Sequence, residues 1–525
     1  MTLQALQSIV RSPFPPPDVP EGDLSSLVLR HSTRLGDRPA LIDAPSGRTI
    51  TYGQLAPMVR RAAAGLAARG FGAGDVLAIY SPNLPEYAVA LHAALSLGGV
   101  VTTANPLYTP AELAQQLEDS NARALLTVPP FLEPAAEAAA RAGCDDLLVF
   151  GTAEGATPFG ALLDHGDDPP RPEIDPDATA ALLYSSGTTG KPKGTQLTHR
   201  GIAACVVQTG EVLDVGEDDT TVAVAPFFHS MGFTVLLNCG LAYGVSIVSV
   251  PRFELEGFLQ AIQDHRATAT VVVPPIVLAL ARHPAVDEYE LSSLRFVGCG
   301  AAPMGPELQR EAADRLGCIV AQGYGMTEAT ATIAVSAMGE PERNVPEQVG
   351  VLIPGTEARV IDQQTGADLG TGGTGELWVR GPQLMRGYLN NPEATAATID
   401  AQGWLHTGDV GRVDEDGRVF ITDRIKELIK YKAFQVAPAE LEALLCTHPA
   451  IAAAAVVGAP DEEAGELPTA FVVTRGAVAD SELMAWVAER VAPHKRIRRV
   501  ERVEAIPTSP TGKILRRELR ARLAG

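Results

Sequence analysis

The apolar run Ala180–Tyr184 is followed directly by Ser185-Ser186-Gly187-Thr188-Thr189-Gly190-Lys191-Pro192-Lys193-Gly194. Four hydroxyl side chains, three glycines and two lysines therefore fall within ten residues. Glycine lets the backbone come close to a ligand and point its N–H groups at phosphate oxygens, while hydroxyl and ammonium groups add donors and positive charge. The segment predicts a phosphate-binding loop after a buried strand.

The spacing of this loop differs from that of a Walker A motif. The residue five positions after Gly187 is Pro192, where that motif has glycine. The difference argues against a kinase or a P-loop ATPase. A solvated turn is the other interpretation, but turns rarely combine these residue types so densely.

The sequence before and after the loop alternates between strand and helix patterns. Val76–Tyr80 is apolar, Glu86–Leu97 has helical periodicity, and Val100–Thr103 is β-branched, which predicts one β-α-β unit. Further strands are predicted at Ala122–Val128, Ala180–Tyr184, Val222–Ala225, Val245–Val250, Ala267–Val273 and Arg295–Gly298. An α/β fold with parallel sheets follows.

The pattern changes after about Gly375 to short alternating strands. Val410–Val413 and Arg418–Ile421 flank Asp414–Gly417 as a predicted hairpin. From Ile425 a module of about 100 residues shows an α+β pattern. We predict an N-terminal domain over 1–423, a C-terminal domain over 424–525, and a linker at Asp423–Lys426.

Composition limits the possible functions. Acidic residues outnumber basic ones by 63 to 42, and the formal net charge is -21, which opposes general attraction to nucleic acid or anionic membranes. Anionic substrates must therefore meet local cations. The apolar stretch Thr268–Ala281 is interrupted by Pro274 and Pro275, and it predicts a buried strand and turn rather than a membrane span.

The N-terminus and the cysteines indicate a cytoplasmic protein. Residues 1–20 lack the basic start, apolar centre and cleavage site of a secretory signal. The six cysteines are scattered singly, without a spacing suited to zinc or to a redox pair. We expect them to be mostly buried, reduced thiols.

Three more segments complete a motif set: Gln322-Gly323-Tyr324-Gly325-Met326-Thr327-Glu328, Thr407-Gly408-Asp409, and the run from Asp423 to Glu442. With the glycine-rich loop they resemble the adenylate-forming superfamily, and are most similar to 4-coumarate:CoA ligases and related acyl-CoA synthetases. The resemblance covers nearly the whole chain. It implies a large N-terminal α/β domain with a small β subdomain, a mobile α+β C-terminal domain, and the use of ATP, Mg²⁺ and coenzyme A.

The resemblance assigns a nucleotide site. Tyr324 would lie on adenine, Asp409 would accept the ribose hydroxyls, Thr327 would bind a phosphate, and Glu328 would bind magnesium. The remaining nucleotide residues are Ser185, Ser186, Gly187, Thr188, Thr189, Gly190, Lys191, Lys193, Gly300, Ala301, Ala302, Gln322, Gly323, Gly325 and Arg424. Taken singly, Tyr324 could be simple core packing, and Thr-Gly-Asp only a turn.

The resemblance also implies a mobile C-terminal domain with two working faces. Lys513 would stabilise the adenylation transition state and then give way to a face that carries Lys430 and Gln435, with the hinge at Lys426. Lys430, Lys432 and Arg252 would meet the phosphates of coenzyme A, and Ala433 would lie at the path of the thiol. Without the other motifs, solvent exposure would be the simpler interpretation of each lysine.

An acyl pocket is implied next to His229, in Pro226-Phe227-Phe228-His229. Its candidate residues are Ser230, Met231, Phe233, Val273–Val277 and Thr330–Ile333. They are mainly apolar or small, and they predict an apolar acid.

Other functions remain open from the sequence. Relatives have glycine where this chain has Ala433, so an acyl carrier protein is an alternative acceptor to coenzyme A. A non-catalytic nucleotide sensor is a second alternative, although the joint presence of Lys513, Glu328, Asp409 and Lys430 argues against it. A light-emitting oxygenase is a third, and no residue identifies its specialised pocket.

Free α-amino acids should be poor substrates. Amino-acid-activating relatives have aspartate where this chain has His229. Without that carboxylate the ammonium group of an amino acid would be buried unpaired. Its desolvation costs several kcal/mol, roughly enough to outweigh the gain from burying the substrate's side chain. Pyrophosphate release at matched concentrations should be slower with phenylalanine than with 3-phenylpropanoic or cinnamic acid. Faster release with phenylalanine would contradict the pocket interpretation.

Overall fold

The computed structural model describes residues 9–166, 168–185, 192–337, 344–432, 434–461, 463–509 and 512–523. These residues form four β-sheets. Two large sheets with helices make up most of the first 352 residues, an antiparallel sheet follows, and a C-terminal sheet with its own helices ends the chain. The architecture is the α/β fold with a separate C-terminal unit that the sequence predicts.

The first sheet contains, in spatial order, Gly387–Tyr388, Lys193–Thr198, Thr179–Ser185, Val100–Ala104, Val76–Tyr80, Ala122–Thr127, Asp146–Val149 and Thr157–Pro158. Val76–Tyr80 and Val100–Ala104 pair in parallel across the helix Glu86–Ser96, so the predicted β-α-β unit is confirmed. The strands on either side of the glycine-rich loop pair with each other in antiparallel fashion.

The second sheet contains, in spatial order, Val351–Leu352, Ala334–Val335, Ile319–Tyr324, Phe296–Cys299, Ala269–Val272, Thr220–Ala223, Ser246–Ser249, Pro39–Asp43 and Thr49–Thr51. Its central strands are parallel. The prediction of strand and turn over Thr268–Ala281 is wrong in its second half. Pro274 and Pro275 open the helix Pro274–Arg282 instead, because proline is tolerated in the first turn of a helix, where no N–H is needed.

The third sheet is antiparallel and contains Val10–Arg11, Glu357–Ile361, Gly375–Arg380, Leu405–Val413 and Val419–Arg424. Its last two strands form the predicted hairpin. The last strand includes Asp423 and Arg424 of the predicted linker, and a turn follows at 425–427. The position of the domain boundary stays a prediction.

The C-terminal sheet contains Phe434–Val436, Ile429–Tyr431, Gly465–Thr474 and Ile451–Asp461, with Arg499–Arg502 paired in parallel to Gly465–Thr474. Its core is a separate cluster built from residues such as Ile429, Leu441 and Val456. The described α-helices are Leu24–Val28, Tyr52–Ala68, Glu86–Ser96, Pro110–Ser120, Leu132–Ala142, Phe159–Leu162, His199–Leu213, Gly240–Tyr243, Leu255–Asp264, Pro274–Arg282, Pro306–Leu316, Pro392–Thr398, Pro438–Cys446, Asp480–Ala488 and Arg516–Leu523, and Met231–Cys239 is a π-helix.

Two further sequence expectations concern membranes and cysteines. Within the described ranges, no helix is long and apolar enough to cross a bilayer. The six cysteines are free thiols, and four of them are buried.

Asn83 connects the two large sheets. It follows the strand Val76–Tyr80, and its buried amide donates to the carbonyls of Ala223 (3.1 Å) and Ala225 (3.0 Å) beside the second sheet. Its Oδ1 accepts from the N–H of Phe227 at 2.7 Å. These bonds fix the start of the segment that carries His229, and Thr103 adds a bond to the carbonyl of Phe228 at 2.8 Å.

Asn83→Ala should lower the free energy of unfolding by about 3 kcal/mol, because the carbonyl of Ala225 and the N–H of Phe227 lose their partner, and the carbonyl of Ala223 keeps only the N–H of Val250. Urea unfolding followed by tryptophan fluorescence measures the loss. Gln402→Ala, at an exposed position, is the control. Equal stability of the two variants would show that Asn83 does not connect the sheets as described.

Candidate active site

One cavity of about 690 Å³ lies where the first and second sheets meet the third sheet and the C-terminal unit. Most of the described candidate residues line it: Ser185, Lys193, His229, Gly300, Ala301, Gln322, Gly323, Tyr324, Gly325, Thr327, Glu328, Arg424, Lys426 and Lys513. They come from segments up to 328 positions apart, between residues 185 and 513. The tertiary structure therefore gathers the scattered motifs at a single site.

The cavity concentrates positive charge in an acidic protein. Its described lining includes the cations Lys193, Arg424, Lys426 and Lys513. The ammonium of Lys193 lies 4.1 Å from the ring centre of Tyr388, a cation–π contact. Such a lining suits an anionic ligand. Because the whole protein is acidic, an anionic ligand can bind only where cations are concentrated locally.

Asp409 joins the third sheet to the second. Its buried carboxylate accepts from the hydroxyl of Tyr324 at 2.6 Å, and Arg424 Nε lies 3.1 Å from its other oxygen. Asp409 and Arg424 are opposite each other across the hairpin, so the ion pair follows from the register. Burial raises the pKa of Asp409, and the guanidinium of Arg424 opposes that rise. Each carboxylate oxygen has a second lone pair, so Asp409 can still accept hydroxyl groups of a ligand.

The two glycines that flank Tyr324 differ in the space around them. Tyr324 ends the strand Ile319–Tyr324, and Gly323 and Gly325 flank it. A Cβ on Gly325 would lie only 1.5 Å from the carbonyl oxygen of Ala331, whereas a Cβ on Gly323 would lie 3.6 Å from its nearest neighbours. Glycine is therefore required at 325 for the backbone to turn back past Ala331.

Glu328 is a buried carboxylate in the cavity wall. Its Oε1 accepts from the hydroxyl groups of Tyr388 (2.7 Å) and Ser185 (3.2 Å). Within the described residues, no group of three or more His, Cys, Asp or Glu side chains is placed to hold a metal ion. Magnesium is commonly bound by one or two carboxylates together with water and substrate phosphates. Glu328 with its neighbouring hydroxyl oxygens fits that manner of binding.

Lys513 enters the cavity from the C-terminal unit. The N–H of Ser509 donates to the carbonyl of Lys513 at 2.8 Å, and a Cβ on Gly512 would lie only 3.0 Å from the side chain of Val273. Burial and the nearby guanidinium of Arg424 lower the pKa of Lys513, while Glu328 and Asp409 oppose the shift. In the described chain, no acidic side chain forms an ion pair with its ammonium. The charge of Lys513 is thus directed at the cavity.

His229 lies beside Lys513 at the start of the π-helix Met231–Cys239. Burial and the ammonium of Lys513 lower the pKa of His229 to about 3. The imidazole is therefore neutral near pH 7. A neutral ring can act as a hydrogen-bond donor or acceptor, but it cannot balance the charge of a buried ammonium group on a ligand.

A large part of the cavity lining is apolar or small. It includes Thr209, Leu213, Ser230, Met231, Val235, Val271, Phe296, Ala331, Thr332 and Val335. Ser230, Met231 and two residues of Thr330–Ile333 are among the sequence candidates. Phe233 belongs to the main hydrophobic core, and Val273–Val277 do not line the cavity, because the chain turns there into the helix Pro274–Arg282.

The residues expected to serve thiol transfer lie outside the cavity. Lys430 and Gln435 are exposed and face each other across the hairpin Ile429–Val436. Lys432 is exposed, with Glu463 at 3.7 Å, and Arg252 is exposed in the bend that follows the strand Ser246–Ser249. Ala302 does not line the cavity either. Ser186, Gly187, Thr188, Thr189, Gly190, Lys191 and Ala433 lie outside the described residues.

Sequence reasoning missed several lining residues. Tyr388 approaches Glu328 from the two-residue strand Gly387–Tyr388, and Thr209 and Leu213 come from the helix His199–Leu213. Phe296 and Val335 come from separate strands of the second sheet. Each belongs to an ordinary apolar or amphipathic pattern, so no local signal distinguishes it from the core.

Two family models match the chain. The model described as AMP-binding enzyme matches residues 28–389, and the model described as AMP-binding enzyme C-terminal domain matches residues 440–513. The chain is also 43% identical to 4-coumarate--CoA ligase 2 of Oryza sativa subsp. japonica, over 98% of this chain and 95% of that protein.

Solved structures with the same fold include two with bound nucleotides. ATP-bound MatB from Rhodopseudomonas palustris has a TM-score of 0.87 and 29% identity, covering 95% of this chain and 98% of that one. The anthranilate CoA ligase AuaEII in complex with anthranoyl-AMP has a TM-score of 0.89 and 25% identity, covering 96% and 97%.

Gly325→Ala should lower acid-dependent pyrophosphate release by about 100-fold, because the collision with Ala331 displaces Tyr324 and the adjacent Thr327. Steady-state kinetics at varied ATP measures the effect. Gly257→Ala, at a helix position with open space around its Cβ, is the control and should keep wild-type rates. Gly323→Ala should lose less activity than Gly325→Ala. The reverse order of losses would contradict the backbone argument.

Proposed function

The chain belongs to the AMP-binding enzyme family and is an acyl-CoA ligase, and from this membership we propose that it activates an apolar carboxylic acid in two steps. In the first step a carboxylate oxygen attacks the α-phosphorus of ATP. The bond from the α-phosphorus to the bridging oxygen breaks, which gives acyl-AMP and pyrophosphate. In the second step the sulfur of coenzyme A attacks the acyl carbonyl, AMP leaves, and the thiol proton passes to solvent.

The observation that carries the proposal is the position of Lys513 among the nucleotide residues. A substrate carboxylate and the α-phosphate repel each other, and negative charge builds up between them in the transition state. The charges of Arg424, Glu328 and Asp409 act on the Lys513 ammonium. This ammonium has no acidic ion-pair partner among the described residues. A preorganised cation in such a site stabilises the transition state by about 3 kcal/mol.

The other candidate residues in and beside the cavity take nucleotide roles in this proposal. Asp409 accepts the ribose hydroxyls with its remaining lone pairs, and Arg424 keeps its carboxylate oriented. Tyr324 lies against adenine, opposite Gly300 and Ala301. Thr327 donates to a phosphate. Ser185 and Lys193 flank the glycine-rich loop that would bind the other phosphates.

Magnesium would be held by Glu328 with phosphate oxygens and water. Bound there, it would neutralise the pyrophosphate as it leaves. Tyr388 and Ser185 orient the Glu328 carboxylate through its Oε1.

The acid is proposed to be apolar, either aromatic and cinnamate-like or aliphatic. The lining next to His229 offers apolar surface from Leu213, Val235, Val271 and Phe296 and few polar groups. The relatives named as 4-coumarate--CoA ligase and anthranilate CoA ligase, by their names, act on aromatic acids. The lining supports an apolar acid, and the names of these relatives favour an aromatic one.

Thiol transfer requires a second arrangement of the C-terminal unit. Lys513 lines the cavity. Lys430 and Gln435 do not line it; they are exposed and pair with each other in the strands Ile429–Tyr431 and Phe434–Val436. We therefore propose that the unit after residue 423 rotates about Lys426, withdraws Lys513 and presents Lys430, Gln435 and Ala433 to the thiol. Lys432 and Arg252 would meet the phosphates of coenzyme A.

A stand-alone enzyme that loads an acyl carrier protein is the second candidate function. The sequence leaves this alternative open, because Ala433 stands where relatives have glycine. We propose coenzyme A as the main acceptor and a cytoplasmic location for the reaction.

Lys513→Ala should reduce acyl-AMP formation by about 100-fold, since its ammonium serves only the first transition state. Conversion of supplied cinnamoyl-AMP to cinnamoyl-CoA should be largely retained. Lys430→Ala should show the opposite pattern. Pyrophosphate release measures the first half-reaction, and mass detection of the thioester measures the second.

Arg522→Ala, at an exposed position of the last helix, is the control and should leave both half-reactions unchanged. Equal losses of both half-reactions in Lys513→Ala would contradict the assignment of Lys513 to the first transition state. Absence of acid-dependent pyrophosphate release by the wild-type protein, tested with aromatic, medium-chain and long-chain acids, would sink the proposed function itself.

A further inference from the structure

Asp423 forms a contact across the proposed hinge. It lies in the last strand of the third sheet, one residue before Arg424, and its side chain is buried. Its Oδ2 accepts from the N–H of Ala439 at 2.9 Å, in the first turn of the helix Pro438–Cys446. The strand lies before Lys426 and the helix lies after it, so one hydrogen bond joins the two sides of the hinge.

The helix Pro438–Cys446 lacks a cap of its own. Its N-cap residue is Ala437, which offers no side-chain acceptor. Asp423 supplies the missing acceptor to a first-turn N–H, and its negative charge lies at the positive end of the helix dipole. A carboxylate from another part of the chain therefore replaces the residue that usually caps a helix locally.

The same helix is connected to the loop that carries Lys513. Glu442, one turn further along, accepts from Arg516 Nη2 at 2.8 and 2.7 Å. Arg516 lies three residues after Lys513, and its charge also acts on Asp423. Arg520 pairs with Glu427 at 2.6 Å, next to the hinge turn. The position of Lys513 thus depends on how the helix sits against Asp423.

A small apolar cluster surrounds this contact. Val410 of the third sheet packs with Leu428, Ala437 and Ile425. Apolar packing of this kind is tolerant of orientation, whereas a hydrogen bond to one N–H is not. A rotation about Lys426 would carry Ala439 away from Asp423, so the bond is compatible with only part of the rotation.

We propose that Asp423 is a positioning residue for adenylation: by capping the helix Pro438–Cys446 across the hinge, it holds the C-terminal unit in the orientation that places Lys513 in the cavity. The inference rests on the proposed two-step function. Asp423 touches neither substrate in this role. It acts through Lys513 and should have no part in thiol transfer.

Asp423→Ala should slow acyl-AMP formation by about tenfold, because the adenylation orientation loses its cap and becomes less populated. Conversion of supplied cinnamoyl-AMP to cinnamoyl-CoA should stay at the wild-type rate or rise. Asp423→Asn keeps the size of the side chain and one acceptor oxygen but loses the charge, and its loss should be smaller. Glu482→Ala removes an exposed acid from another C-terminal helix and should affect neither half-reaction.

The split between the half-reactions separates positioning from stability. A variant that is merely destabilised loses both half-reactions together and has a lower melting temperature, and that outcome in both Asp423 variants would overturn the inference. Unchanged acyl-AMP formation in Asp423→Ala would overturn it as well. The proposed function fails separately, when the wild-type protein itself releases no pyrophosphate with any acid.

Discussion

The site depends on the hydrogen bond and the ion pair that the buried carboxylate of Asp409 forms. It accepts a hydrogen bond from Tyr324 of the second sheet and forms an ion pair with Arg424 of its own hairpin. It therefore fixes the third sheet against the second. Neither partner is adjacent to it along the chain. A buried charge needs partners of this kind, because desolvation without them costs several kcal/mol, roughly the stability margin of a domain.

The pairing of Asp409 with Arg424 lies next to the proposed hinge. Arg424 ends the last strand of the third sheet, and the turn at 425–427 begins immediately after it. The strand is therefore anchored at its end by a salt bridge inside the cavity and by Asp423 toward the C-terminal helix. Asp423 and Arg424 are neighbours on one strand and point to opposite sides, so this strand end contacts both Asp409 and the helix Pro438–Cys446.

The charge distribution follows from the chemistry that the family membership implies. An acidic protein that binds ATP and a carboxylate must collect cations locally, and Lys193, Arg424, Lys426 and Lys513 line one cavity. His229 beside Lys513 is neutral because burial and the ammonium both oppose its protonation. His229 therefore adds no positive charge to the cavity.

The sequence by itself determined the fold class, the family and many of the candidate residues that line the cavity. These inferences depend on local patterns, such as the glycines around Tyr324 and the β-α-β alternation from Val76, in which neighbouring residues carry the signal. Only the tertiary structure decided the partners of Asp409, Glu328 and Asp423 and the apolar lining from Thr209 to Val335. Those contacts join side chains far apart in the chain, and an apolar residue in a regular strand or helix carries no local mark of whether it faces the core or a cavity. The second half of Thr268–Ala281 shows the same limit, since its two prolines are compatible with a turn and with the first turn of a helix, and packing selected the helix.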